Sequence, residues 1–111
     1  MIQASPFEIR SEVEADTGRL ILAGELDIAT APQVEDATRM MLAQQVRRLV
    51  IDLRALTFID SSGLRMLIAL NDSAARADWT LGLIRPEPSL AVLQITGADE
   101  NLPFIEESPS P

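Results

Sequence analysis

The chain contains no cysteine, histidine, tyrosine or lysine. Without cysteine and histidine there can be no disulfide, no thiol nucleophile and none of the usual zinc ligand sets. Without histidine and lysine the imidazole base, the serine–lysine dyad, the Schiff-base lysine and the lysine of Walker-type phosphate loops are also missing. Every basic side chain is an arginine, which stays charged. Only carboxylates remain for acid–base work, so we expect a protein that is not an enzyme and uses no cofactor.

Length and charge narrow the class further. The chain has 111 residues, of which 47% are apolar, so it has the size of one domain and enough apolar material for a core. Its formal net charge of -8 would repel phosphate backbones, which argues against direct binding of nucleic acid. No apolar run approaches the roughly 18–20 residues that cross a bilayer, and residues 1–6 do not resemble a signal peptide. We therefore expect a cytoplasmic protein without membrane insertion.

The first part of the chain has the pattern of two strands. Apolar residues alternate with polar ones as in a half-buried edge strand at Phe7, Ile9 and Val13. Residues 17–18, Thr-Gly, predict a turn. The apolar run at 20–23 predicts a more central strand that Gly24 ends.

Two helices are predicted on either side of a buried strand. Thr30 can cap the first helix, with Pro32 in its first turn and Gln33 in the position of a capping box. The branched apolar residues 49–53 are too few for a helix and predict a buried strand. The second helix is predicted over residues 62–77.

The last part of the chain completes an alternating pattern. We expect a strand at 81–84, a short helix at 88–95 and a last short strand at 102–105, and residues 106–111 have the composition of a disordered tail. Strands separated by helices require parallel pairing with helical crossovers. We therefore predict one α/β (α+β) domain over residues 7–105 with a mixed sheet, preceded by an arm over residues 1–6.

The predicted second helix has more apolar residues than one buried face requires. One stripe that can face the sheet contains Leu64, Leu67, Ile68, Ala74 and Ala75. This stripe is extended on one side by Met66, Leu70 and Ala77. Either the helix is packed deeply, or this surplus edge meets a partner.

The segment Asp60–Gly63 joins a predicted strand to the second helix. We expect Ser61 or Ser62 to cap that helix, and Gly63 to leave its first turn open to close approach. A capping serine needs no further function, but hydroxyls at a helix N-terminus also lie where an anion is favoured. A hydrolase nucleophile is excluded, since the Gly-x-Ser-x-Gly pattern is absent and there is no histidine or lysine to take the proton of the serine. Asp52 is expected at a strand end, where a receiver domain has the aspartate that accepts a phosphate, but the lysine that receivers also have is absent. No ordered set of metal ligands is found either.

Several segments together resemble bacterial anti-sigma factor antagonists, which are STAS domain proteins. Gly-Glu-Leu-Asp at 24–27 followed by Thr-Ala-Pro at 30–32 resembles the family's first motif, and Phe-Ile-Asp-Ser-Ser-Gly-Leu at 58–64 resembles its phosphorylation loop. Leu-Ile-Arg-Pro at 83–86 and Leu-Gln-Ile-Thr-Gly at 93–97 resemble its last strand, turn and helix. The Asp-Ser-Ser-Gly-Leu segment is weak alone; the combination is specific and covers nearly the whole chain.

The resemblance implies a four- to five-stranded sheet with helices packed on one face. It implies that Ser61 is phosphorylated by an anti-sigma factor that is itself a serine kinase using ATP and Mg²⁺, and dephosphorylated by a separate serine phosphatase. The unphosphorylated form would bind the kinase and release its sigma factor. Asp27 matches a family position near that serine, and we expect a partner-binding surface formed by Asp27, Asp60, Ser62, Gly63, Met66 and Leu70. A stand-alone component of a lipid or anion transport complex, or a signalling scaffold, stays open as the alternative.

Overall fold

The computed structural model describes residues 7–87 and 102–106. Its elements are β1 (Glu8–Glu14), β2 (Thr17–Leu26), α1 (Ala31–Ala43), β3 (Arg48–Ile59), α2 (Ser61–Arg76), β4 (Thr80–Ile84) and β5 (Phe104–Ile105). They form a five-stranded sheet in the order β1-β2-β3-β4-β5, in which β1 is antiparallel and the other pairs are parallel. The predicted mixed sheet is confirmed. The predicted arm 1–6, the predicted helix 88–95 and the tail from 107 onward lie outside the described residues.

The core lies between the sheet and the two helices. Leu20, Ile51 and Leu83 are register neighbours on β2, β3 and β4, and each is 0% exposed. Val34 of α1 and Leu67 of α2 belong to the same buried cluster and are also fully buried. Each such side chain contributes about 1.5–3 kcal/mol when it leaves water. The helices therefore cover one face of the sheet, as expected.

The β1–β2 hairpin turns earlier than predicted. Its turn is at Ala15–Asp16, where Ala15 has φ 57, and Thr17 already pairs with Glu14. The prediction of a turn at 17–18 was therefore wrong. Gly18 serves close packing instead, because a Cβ there would lie 2.7 Å from the sulfur of Met41 on α1.

Gly24 does not end β2, contrary to the prediction. It has φ 101 and lies where the register of β2 against β3 shifts, which is the signature of a bulge. The strand continues beyond it to Leu26, and β3 likewise runs without a break to Ile59. Because Leu26 and Ile59 are register partners, the two strands end side by side.

Asp52 lies within β3 and not at its end, which corrects the position assumed for it. Its carboxylate accepts hydrogen bonds from Arg54 Nη2 at 2.7 Å and Nε at 3.0 Å, and Arg19 Nη1 lies 3.7 Å away. Burial alone raises the pKa of Asp52, but the hydrogen bonds and positive charge of Arg54, with that of Arg19, outweigh it and hold this pKa below its usual value. Asp52 is thus a buried carboxylate in the sheet, paired with two arginines that reach the surface.

Candidate functional site

The candidate site lies at the common carboxyl end of β2 and β3. The Asp60 N–H donates to the Leu26 carbonyl at 3.2 Å, so the chain leaving β3 is tied to the end of β2. The next residue after Leu26 is Asp27, and the next after Asp60 is Ser61. Two segments far apart in sequence therefore meet at the sheet edge where α/β folds place their ligands.

Asp60 is the N-cap of α2. Its Oδ1 accepts from the Gly63 N–H at 3.0 Å, and its backbone is extended with φ -110 and ψ -174. The prediction that Ser61 or Ser62 caps the helix was wrong. Aspartate caps as well as serine does, and Asp60 precedes Gly63 by the spacing of a cap to its third helical residue, so the sequence contained this signal.

Because Asp60 takes the capping role, the hydroxyl of Ser61 is not used by the fold. Ser61 is exposed, and its hydroxyl makes no hydrogen bond within the part of the chain that the structure describes. Ser62 is half-buried and lies along a groove between the helices. Of the two serines, Ser61 is the more exposed.

Gly63 lets the first turn of α2 lie directly against the end of β2. A Cβ at this position would meet Leu26 Cγ at 2.8 Å, the Leu26 carbonyl oxygen at 2.9 Å and Ile59 Cγ1 at 3.1 Å. The open first turn expected from Gly63 is therefore filled by the protein itself. Gly63 is buried, and its close packing against Leu26 and Ile59 fixes the position of the first turn of α2, which contains Ser61.

The loop between β2 and α1 is held by Asp27 and Thr30. Asp27 Oδ1 accepts from the N–H groups of Ala29 at 3.0 Å and Thr30 at 3.1 Å. The Thr30 hydroxyl donates to the Glu25 carbonyl at 2.8 Å and accepts from the Asp27 N–H at 2.9 Å. Thr30 is the N-cap residue by position, but its side chain makes no capping hydrogen bond, so the predicted capping box does not form. These bonds fix the loop with Ile28 at its tip, 74% exposed.

A shallow groove of about 530 Å³ runs between the first turns of α1 and α2. Its apolar floor and rim are formed by Ile28, Ala31, Pro32, Met66, Ile68 and Ala69. Its polar lining is formed by Glu35, Ser62, Arg65 and Asp72. The groove begins beside Ser62 and so adjoins the exposed Ser61. Ile28 and Arg65 were not predicted from the sequence to be site residues.

The buried face of α2 is rotated from the predicted stripe. Met66 is 4% and Leu70 9% exposed, whereas Ile68, which we expected to face the sheet, is 37% exposed. The reason is that α2 also packs against α1, which moves its buried arc towards that helix. Met66 still lines the groove, but Leu70 belongs to the core and does not line it. The apolar residue that this helix exposes at the groove is Ile68.

Metal-binding clusters and membrane-spanning helices are both absent from residues 7–87 and 102–106. These residues contain no group of three or more acidic side chains placed to hold a metal ion. None of the helices in this part of the chain is both long and apolar enough to span a bilayer.

The sequence profile of the family described as "Mlab, STAS domain" matches residues 9–106. The chain belongs to the STAS domain family. Among curated relatives, this STAS domain is 36% identical over 76 residues to the anti-sigma-F factor antagonist RsfB of Mycobacterium tuberculosis. The match covers 67% of the chain and 62% of RsfB, so it spans just over three fifths of the length of that relative.

Solved structures of similar fold carry related names. An anti-sigma factor antagonist from Mycobacterium paratuberculosis superposes with a TM-score of 0.79 at 26% identity, over 96% of this STAS domain and 92% of that chain. The unphosphorylated form of the anti-sigma factor antagonist SpoIIAA superposes with a TM-score of 0.73 at 21% identity, over 91% and 89%. The phosphorylated form of the Bacillus SpoIIAA gives a TM-score of 0.67 at 22% identity, over 92% and 91%. The SpoIIAA likeness, at these identities, shows the shared fold alone.

Proposed function

We propose that this STAS domain is an anti-sigma factor antagonist, itself without catalytic activity, whose binding is switched off by phosphorylation of Ser61. The observation that carries the proposal is the arrangement at the start of α2: Asp60 caps the helix, and the Ser61 hydroxyl is left exposed, with no hydrogen bond to any of the described residues. The names of RsfB and of the structural relative from Mycobacterium paratuberculosis support the assignment.

The chemistry of the switch requires a partner with its own catalytic groups. Transfer forms a bond between Ser61 Oγ and the γ-phosphorus of ATP and breaks the bond to the ADP leaving oxygen. The hydroxyl proton must pass to a base; this chain has no histidine or lysine to accept it, and the neighbouring carboxylate of Asp60 is already engaged as the helix cap. We therefore assign the base, the ATP and the Mg²⁺ to an anti-sigma factor serine kinase, and the reverse hydrolysis to a separate serine phosphatase.

The partner-binding surface is the rim around Ser61 together with the groove beside it. Ile28 and Ile68 supply exposed apolar area, and Met66 supplies part of the lining. Asp27 shapes the loop that presents Ile28. Of the other residues expected at this surface, Ser62 lines the groove, Asp60 and Gly63 set the position of Ser61, and Leu70 supports α2 from the core.

Phosphorylation changes the charge of this surface more than its shape. The phosphoryl group adds about 1.5 to 2 negative charges next to the carboxylate of Asp60. On the exposed surface of the free protein, repulsion of this kind costs about 1 kcal/mol or less. In an interface, a buried charge without a counter-charge costs several kcal/mol, which lowers affinity by about a hundredfold or more.

The test requires an anti-sigma factor serine kinase, and the first candidate to purify is any small ATPase of the histidine-kinase-like type whose gene adjoins the gene of this protein. Incubation with that kinase and Mg-ATP should place one phosphate on Ser61, located by mass spectrometry of peptides. Ser61→Ala should bind the kinase as tightly as the unphosphorylated protein, and Ser61→Asp should bind at least tenfold more weakly in calorimetry, with both melting close to wild type. Ser62→Ala is the matched control and should still be phosphorylated.

Two results would contradict the proposal. One is a phosphate found on Ser62, and the other is a Ser61→Asp variant that binds as tightly as wild type. Absence of any binding to the kinase, with binding to a transport complex instead, would favour the alternative function.

A further inference from the structure

Arg65 lies one helical turn after Ser61 on α2. Both residues are exposed, and Arg65 also lines the groove beside Ser62. Glu35 and Asp72 line the same groove, yet Arg65 forms neither an ion pair nor a hydrogen bond with any residue in the part of the chain that the structure describes. No described residue therefore holds the guanidinium of Arg65 in the unphosphorylated protein.

The geometry of a helix directs Arg65 towards Ser61. Residues four apart have Cβ atoms about 5–6 Å from each other. Long side chains on a helix point back towards its N-terminus, so the arginine lies over the preceding turn. The order is also the favourable one, with the acidic group N-terminal to the basic group. The helix begins at Ser61, so its first turn brings the two residues onto one face.

We propose that Arg65 is the intramolecular counter-charge of the phosphate on Ser61. The inference rests on the proposed phosphorylation of Ser61. The planar guanidinium donates two parallel hydrogen bonds to phosphate oxygens, which a lysine ammonium does not reproduce. When this pair forms, the only arginine that lines the described groove is turned away from it. One arginine offsets only about half of the phosphate charge of about -2, so phosphorylation changes the partner surface twice: uncompensated negative charge remains at Ser61, and positive charge is withdrawn from the groove.

The test places phosphoserine at position 61 by genetic encoding, so that it needs no kinase. The second ionisation of the phosphate is followed by ³¹P NMR as a function of pH, in wild type and in Arg65→Gln. A nearby cation favours the dianion, so the wild-type midpoint should lie lower by about 0.15 to 0.4 pH unit at low salt, which is the strength of an i,i+4 pair expressed as a shift in ionisation. At 1 M salt, where the screening length is about 3 Å, this difference should shrink.

Two variants make the result specific. Arg76→Gln removes the same charge from the other end of α2, about 22 Å away at 1.5 Å per residue, and should leave the midpoint unchanged. Arg65→Lys keeps the charge without the planar fork and should restore part of the shift. Equal midpoints in wild type and Arg65→Gln would overturn the inference. That outcome is independent of the proposed function, which is tested by kinase binding and the position of the phosphate.

Discussion

Replacing Gly63 with alanine tests how closely α2 is tied to the end of β2. In an ordinary helix this change stabilises, because alanine is about 1 kcal/mol more favourable than glycine. Here the new methyl group would lie 2.8 Å from Leu26 Cγ and 2.9 Å from the Leu26 carbonyl oxygen. A loss of stability in Gly63→Ala would therefore show that the contact with Leu26 cannot relax, and a gain would show that it can.

The surroundings of Gly63 leave little room for relaxation. Leu26 is 0% exposed, so its side chain cannot swing into solvent, and its carbonyl oxygen accepts the Asp60 N–H. Overpacking at such sites costs about 1–3 kcal/mol. The Leu26 carbonyl oxygen belongs to the backbone and cannot move away by a rotamer change, so we expect the upper half of this range, about 2–3 kcal/mol. Less the gain in helix propensity, the net loss in the free energy of unfolding should be about 1–2 kcal/mol. For a domain of this size, such a loss lowers the melting temperature by about 4–15 °C.

The measurement is urea unfolding of wild type and Gly63→Ala, followed by circular dichroism. Ala69→Gly, at an exposed position in the interior of the same helix, calibrates the effect of propensity and should cost about 1 kcal/mol. If Gly63→Ala is as stable as wild type or more so, Leu26 and β2 give way, and the argument that Gly63 sets the position of Ser61 fails.

Two other residues give independent tests. Asp60→Ala removes the cap on Gly63 and should lower the free energy of unfolding by about 1 kcal/mol in urea, whereas Asp60→Ser should keep most of it; equal stability of the alanine variant and wild type would contradict the capping role. The pKa of Asp52 is lower in the folded state than in the unfolded chain, so its pairing with the two arginines stabilises the fold above about pH 4, and this contribution is lost as the pH falls through the folded value. The difference in unfolding free energy between wild type and Asp52→Asn should therefore narrow in acid, and a difference that stays constant down to pH 2 would refute the assignment.

Some features were predictable because they depend on local pattern. The run at 49–53 has the composition of a buried strand, and β3 contains it. The second helix was expected from residue 62 and begins at Ser61, since strand-forming residues give way there to an Asp-Ser-Ser-Gly segment. The resemblance to STAS domain proteins rested on motifs spread along the chain, and the family match over residues 9–106 confirms it.

The wrong predictions are of two kinds: some residues contact distant neighbours, and others make a different local hydrogen bond from the one expected. Gly18 has the composition of a turn but meets Met41 of α1, and Thr30 has the composition of a cap but turns its hydroxyl to the Glu25 carbonyl. Ile68, which was expected to face the sheet, is exposed, and Leu70, which was expected at the partner surface, is buried, because α1 covers one side of α2.

By itself the sequence determined the class of the fold, the absence of the usual catalytic side chains and the segment that contains the candidate phosphorylation site. These follow from composition and from periodicity within a few residues. Only the tertiary structure decided that Gly63 packs against the end of β2, that Leu70 is core, and that Ile28 and Arg65 border one groove. The physical reason is that a hydrogen bond or a buried face depends on which atoms meet across β2, β3 and the helices. Those contacts join residues that are distant in the sequence.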